Sequence, residues 1–317
     1  MPYPYNIENI NKRANADPIG FATECEAIFN RKVAEVAADI IERTESTGSR
    51  VVLLAGPSGS GKTTTAKKIC DALMWRGIKA HSIALDKYYL PTDVENAPRT
   101  PDGEYDRESP LCLDLKLINE HFTRLDKGKE VIIPHFSFRN QQRDPTRAMP
   151  LKLGNDELVV FEGIHALNDL LADKHPDAYK LYISARSDII HNDGEMCFKR
   201  TWARLLRRVV RDDLFRAMGA VTTLEMWGNV REGEKKYISP FKFKADLLFD
   251  SSMEYEVSVL KPFALKAFSN VPDDCKRKEE LEELRPALMQ FEEIDTSCVL
   301  HNSIIREFIG GGTYTYD

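Results

Sequence analysis

From Val51 the chain reads Val-Val-Leu-Leu-Ala-Gly56-Pro-Ser58-Gly59-Ser60-Gly61-Lys62-Thr63-Thr64. An apolar run thus passes into G-x-x-x-x-G-K-T and on into a helical pattern. Glycines let the backbone wrap closely, so that successive N–H groups point inward at an anion. The following helix adds the positive end of its dipole. Gly56, Ser58, Gly59, Ser60, Gly61 and Thr64 would complete a cradle for a polyphosphate. Lys62 would reach the outer phosphates, and Thr63 would offer its hydroxyl to Mg²⁺. The bland alternative is a chance glycine-rich turn. A legible strand before the loop and a helix over Thr63–Arg76 after it, stopped by Gly77, weigh against that.

Further groups suit phosphoryl chemistry. Asp86, in Ala-Leu-Asp86-Lys-Tyr88-Tyr89, ends a strand read over His81–Asp86. In open α/β sheets ligands sit beyond the carboxyl ends of the strands, where such an acid can accept the proton of an attacking hydroxyl. It can equally be a turn or cap aspartate. Glu162 closes the apolar run Leu158–Phe161, a position from which a carboxylate can orient Mg²⁺ beside a phosphate loop; a solvated strand end is the plainer reading. Arg204, Arg207, Arg208 and Arg211 recur on one face of a helix read over 196–217, with Leu205, Leu206, Val209 and Val210 opposite. Like charges so stacked repel, and a bound polyphosphate would reverse the sign, which suggests a lid that closes over phosphates. A solvated stripe paired with Asp212 and Asp213 is the alternative. His135 and His165 fall near these elements and can be structural. No H-E-x-x-H, G-x-S-x-G or N-K-x-D pattern occurs.

The elements that must position these groups follow from periodicity. A helix is read over 21–46, a long polar loop over 90–110, and helices over Leu113–Lys127, 220–231, Glu254–Phe268 and Asp273–Glu293. Short strands are read at Glu130–Pro134, Leu181–Ser184 and Ala245–Phe249, and Arg139–Pro150 reads as irregular. Strands alternating with helices imply an α/β fold with a parallel sheet covered on both faces. With 317 residues and a net charge of −6, the chain suits one α/β domain with additions and lacks the basic surplus of a nucleic-acid binder. Six cysteines without C-x-x-C spacing read as reduced thiols, no apolar run is long enough for a membrane span, and no secretory leader is seen, so a cytoplasmic location is expected.

Taken in order, these motifs resemble the uridine kinase and phosphoribulokinase family of P-loop kinases, in particular its longer bacterial uridine kinase-like members. Leu85–Tyr89 is similar to the family's D-x-[FY]-Y, Tyr105–Pro110 to its acidic substrate loop, Ile133–Phe138 with Arg143 to I-P-x-Y-x-F…R, Val160–Ile164 to E-G-I, and Arg204–Asp212 to R-x-x-R-R-x-x-R-D. The resemblance implies a P-loop NTPase fold of the nucleoside monophosphate kinase-like kind. It implies ATP and Mg²⁺ as cofactors and transfer of the γ-phosphoryl group to a small-molecule hydroxyl, the 5′-OH of uridine or cytidine. By that resemblance Asp86 is the base. Lys62, Arg204, Arg208 and Arg211 assist transfer, and Thr63 and Glu162 manage the metal. Tyr88, Asp106, Phe136, Gln141, Arg143 and His165 join Asp86 around the acceptor. Residues 50–269 would form the kinase unit, flanked by helical additions over 1–49 and 270–317, and the resemblance allows a homo-oligomer. Three departures stand out. Phe136 and Gln141 replace a Tyr and a His that face the pyrimidine, Ser109–Cys112 replaces H-P-D-A, and Arg216-Ala217 replaces R-G. A sugar, polyol or other small alcohol as acceptor, or a nucleotide-binding regulator, are the competing readings.

Overall fold

The computed structural model describes residues 3–91, 97–100, 103 and 105–316. Its centre is a parallel sheet of five strands: β1 (Val51–Ala55), β2 (Lys79–Ala84), β3 (Glu157–Glu162), β4 (Tyr179–Ser184) and β5 (Leu247–Asp250), in the spatial order β5-β4-β1-β3-β2. The middle strand β1 is apolar at every position because both its faces are covered. Its side chains alternate: Val52 and Leu54 enter one core, and Val51, Leu53 and Ala55 enter the other.

The helices are α1 (Ile7–Ala16), α2 (Pro18–Thr47), α3 (Lys62–Met74), α4 (Leu115–Asp126), the single turn α5 (Asp169–Ala172), α6 (Arg200–Phe215), α7 (Ala220–Gly233), α8 (Glu256–Phe268), α9 (Lys278–Met289) and the short α10 (Arg306–Ile309). Residues of α1, α2, α3, α6, α8, α9 and α10 share the larger core, and α4 packs into the smaller one. Both terminal additions therefore bury their apolar faces in the same core as the sheet. The Asp17 side chain caps the start of α2, with Pro18 in its first turn, and Gly48 ends it at φ 76°.

Several sequence expectations are corrected. The helix read over 21–46 is the body of α2, and α1 before it had no legible stripe of comparable length. The second strand ends at Ala84, and Asp86 lies in a 3-10 turn over Leu85–Tyr88. The stretch read as irregular over 139–150 contains Gln142–Arg143, antiparallel to Phe136–Ser137, and ends in Met149–Leu151, antiparallel to Val131–Ile133. The segment before α6 opens with a short strand at Met196–Phe198. After Gly233, α7 widens into a π-helical turn over Glu234–Ile238. Of the loop read over 90–110, residues 92–96, 101, 102 and 104 lie outside the described residues.

Candidate functional site

Register brings the chemistry to the carboxyl ends of three adjacent strands. Glu162 at the tip of β3 is level with Leu54 of β1 on one side and Ala84 of β2 on the other. Gly56 and Asp86 each follow two residues beyond those partners. The loop from Gly56 is shaped by its glycines. A Cβ on Gly56 would strike the Ile183 carbonyl, and Gly59 (φ 73°) and Gly61 (φ 79°) occupy the left-handed region. Gly61 precedes α3 without a side-chain cap, which leaves first-turn amides for another acceptor. Ser60 is fully buried and its Oγ has no partner among the described residues. The Lys62 ammonium donates to the Pro57 carbonyl at 3.2 Å, and the Thr63 hydroxyl donates to Glu162 Oε1 at 2.9 Å.

Of these charges Glu162 is buried, Lys62 is half-buried and Asp86 reaches solvent, though protein atoms crowd all three. Burial pushes Glu162 up to about 7, opposed by Lys62 and reinforced by Asp86. Burial also raises Asp86 above the carboxylate range, against the pull of Lys62, Arg216 and Arg211. The Lys62 ammonium is lowered by the same burial and supported by Glu162 and Asp86. Perturbed acids facing one lysine mark a site prepared for charged ligands. A hydroxyl beside a carboxylate is a hard-oxygen set that fits Mg²⁺, which takes one or two protein oxygens and completes its shell from phosphate and water. No larger cluster of metal-ligating side chains occurs among the described residues.

The arginine helix differs from the lid that the sequence suggested. Arg208 and Arg211 pair with Asp212 of the same helix, as the sequence allowed, but the acids that hold Arg204 and Arg207 come from other elements, which no count within the helix reveals. Arg204 is 3 % exposed, forms a two-pronged pair with Glu234 (3.1 and 2.9 Å), and donates to the Ser58 carbonyl at 3.0 Å. Arg207 is fully buried, pairs with Glu256 (2.5 and 3.0 Å), and donates to the Gly59 carbonyl at 3.2 Å. Both arginines thus brace the loop from behind. Arg208 reaches the Ser58 hydroxyl at 2.9 Å, and Arg211 pairs with Asp212 at 2.9 Å. Arg211 and Arg216 are the members of this group that face Asp86.

Ala217, next to Arg216, stands at φ 50°, where an L side chain is strained. Ala217→Gly is therefore expected to stabilise the fold by about 0.5–1 kcal/mol, the strain relief exceeding the added chain entropy. A urea midpoint that fails to rise would show that this turn tolerates the Cβ.

On the acceptor side the sequence expectations divide. Tyr88 is corrected: the 3-10 turn directs it into the core, where it is fully buried and its hydroxyl meets His121 Nδ1 at 2.9 Å. Its neighbour Tyr89 faces outward, with its ring centroid 5.6 Å from both Phe136 and Phe138. Those rings, with Tyr105, Arg107 and Gln141, line a small pocket. Gln141 (φ 54°) donates to the Phe138 carbonyl, which shapes the pocket's rim. Arg143 is half-buried and holds Asp114 at 3.0 Å and the carbonyls of Tyr88 and Tyr89, contacts that brace the turn presenting Asp86. Asp106 accepts from the Tyr237 hydroxyl at 3.1 Å and from the Glu108 amide. Glu108, which the sequence did not single out, is pushed up to about 7 by burial, opposed by Arg208 and reinforced by Asp106. His165 is buried, its ring edge-on to Tyr237, and burial lowers it to about 4, so it is a neutral wall.

A profile of the phosphoribulokinase / uridine kinase family matches residues 51–258. The uridine kinase of Saccharomyces cerevisiae is 29 % identical over 66 % of this chain and 38 % of its own length. That of Staphylococcus haemolyticus is 27 % identical over 66 % of this chain and 91 % of its own. The chain thus spans less than half of the yeast relative. A solved structure, a candidate fructose transport system kinase from Silicibacter sp. TM1040, superposes with a TM-score of 0.51 at 18 % identity, covering 68 % of this chain and 98 % of that one. At that identity the likeness is one of fold. No helix among the described residues is long and apolar enough to cross a membrane.

Proposed function

Because the chain belongs to the phosphoribulokinase / uridine kinase family, we propose that it is an ATP-dependent kinase of a small-molecule alcohol, with the 5′-OH of uridine or cytidine as the leading acceptor. The observation that carries this reading is the meeting of the phosphate loop, Glu162 and Asp86 at the carboxyl end of the sheet, beside a pocket walled by aromatic rings. Loop amides and Lys62 hold the triphosphate. Asp86 takes the acceptor's proton as its oxygen bonds to the γ-phosphorus, the bond to the β-phosphate oxygen breaks, and ADP leaves. Thr63 and Glu162 are the residues that would hold Mg²⁺, and the ion, when bound, would supply neutralising charge at the phosphates. Arg211, Arg216 and Arg208 flank the transferred group, and Asp106 grips a hydroxyl of the acceptor. Tyr89, Phe136 and Phe138 offer faces on which a planar base can stack. The kinase unit is taken as residues 50–269, and the six free thiols suit a reducing compartment such as the cytoplasm.

A sugar or polyol acceptor is the second reading. It is favoured by a specific observation: the carboxylates of Asp106 and Asp86 both lie close enough to Glu108 to raise it, which gathers acceptors suited to several hydroxyls. A coupled assay of ADP release, run over nucleosides and polyols with MgATP, separates the two. Turnover confined to pyrimidine nucleosides establishes the first, and turnover confined to polyols the second. ATP binding without acceptor-dependent turnover on any panel member would overturn both and leave a nucleotide-binding regulator.

A further inference from the structure

The segment after Ser303 lies beyond the stretch matched by the family profile, yet it packs directly on the phosphate loop. Ile304 sits so close to Gly61 that a Cβ there would overlap its side chain. Phe308 lies under Arg207, the arginine that braces Gly59, with 5.4 Å from guanidinium to ring centroid. Glu307, only 8 % exposed, accepts from the Thr64 amide at 3.2 Å and from the Thr64 hydroxyl at 2.6 Å through one carboxylate oxygen. The chain then runs along α3. Tyr316 meets the Thr64 hydroxyl at 2.9 Å, Lys67 donates to the Thr315 carbonyl, and the Tyr314 hydroxyl donates to Asp71 at 2.6 Å. Positions 64, 67 and 71 form one stripe of that helix.

The Thr64 amide belongs to the first turn of α3, the group of donors that a loop of this kind turns toward phosphate. An intramolecular carboxylate already holds it, and that carboxylate also acts on Lys62 and Glu162. We propose that Glu307 competes with the polyphosphate for the Thr64 donors, so that nucleotide binding requires the 304–316 segment to release this contact. Two anions cannot share one amide in a buried setting without strong repulsion. Affinity for nucleotide is then set partly by how firmly Ile304, Phe308 and the Tyr314–Tyr316 run hold Glu307 in place. This inference rests on the loop's being a polyphosphate site.

The test compares the full-length parent with Glu307→Gln by calorimetry, using ATP, inorganic tripolyphosphate and, as a phosphate-free control, adenosine. Gln keeps an acceptor for Thr64 and removes the charge. The expected result is about tenfold tighter binding of ATP and tripolyphosphate, with adenosine unchanged. Equal or weaker binding of both phosphate ligands by the variant would overturn the inference while leaving the phosphate site intact, because Glu307 would then be a brace only. Absence of phosphate binding in both proteins would overturn the reading of the loop itself and this inference with it. Should Glu307→Gln melt early, Glu307→Asp, which draws the charge back by one methylene, is expected to gain part of the same tightening; no gain there would count equally against competition.

Discussion

Asp86→Asn is expected to lower kcat by about 10²–10⁴-fold, the usual worth of a positioned general base, while ATP binds as in the parent. The expectation follows from position and electrostatics together. Asp86 stands two residues past β2, at the carboxyl end where β1 delivers the phosphate loop, and faces Lys62, Arg211 and Arg216. Asn keeps the size and one acceptor oxygen but takes no proton. The parent's pH profile carries a matching signature. Burial raises Asp86, so its working, deprotonated form is lost as pH falls through a value above the ordinary aspartate range. The acid limb of kcat/KM should therefore lie above that range and vanish in the variant. Undiminished turnover in Asp86→Asn would remove the base from this residue and shift attention to Glu108.

Arg207→Ala is expected to destabilise the fold by about 3–5 kcal/mol, a large share of a typical domain's 5–15 kcal/mol. Arg207 is fully buried, and its loss strands the Glu256 carboxylate, the Ser251 carbonyl and the Gly59 carbonyl without their donor. Chemical denaturation reads the loss directly. The double variant Arg207→Met/Glu256→Leu should recover most of it, because two apolar side chains leave no lone charge behind. If the single variant unfolds within 1 kcal/mol of the parent, the pair does not carry the anchoring role the geometry gives it. The same substitution distinguishes anchor from lid, since a mobile phosphate clamp would cost turnover and little stability.

That distinction also marks where the sequence was legible. The phosphate-loop pattern, Asp86 and Glu162 could be placed near one another from sequence because each sits at or just past a strand end, and strand ends follow from short apolar runs and glycines. The arginine row was found, but its partners were hidden. Glu234 and Glu256 lie 30 and 49 residues from Arg204 and Arg207 in the chain, and no local pattern joins them. Tyr88 and Tyr89 were exchangeable on paper. Which of the two enters the core depends on the 3-10 turn after Ala84, and extending the strand to Asp86 concealed that turn. Arg143 looked like a ligand for substrate because a charge beside an acidic motif suits both roles, and only tertiary contact shows it holding Asp114. Glu307 falls in an ending, Arg306–Gly311, that resembles the longer bacterial members of the family, but its role is not legible there: it acquires meaning only when the tail reaches Thr64.

The π-helical turn over Glu234–Ile238 carries a consequence for how this chain can vary. Glu234 at its start holds Arg204 behind the phosphate loop, and Tyr237 near its end holds Asp106 beside the acceptor pocket. Two residues of one wide turn therefore act as a shared hinge-pin between the phosphate loop and the aromatic pocket. Removing a single residue there would restore ordinary helical pitch and swing one of the two side chains by about 100° away from its partner. Shape changes on the acceptor side can accumulate in the aromatic loop, but the pitch of this turn must stay as it is for loop and pocket to remain in alignment.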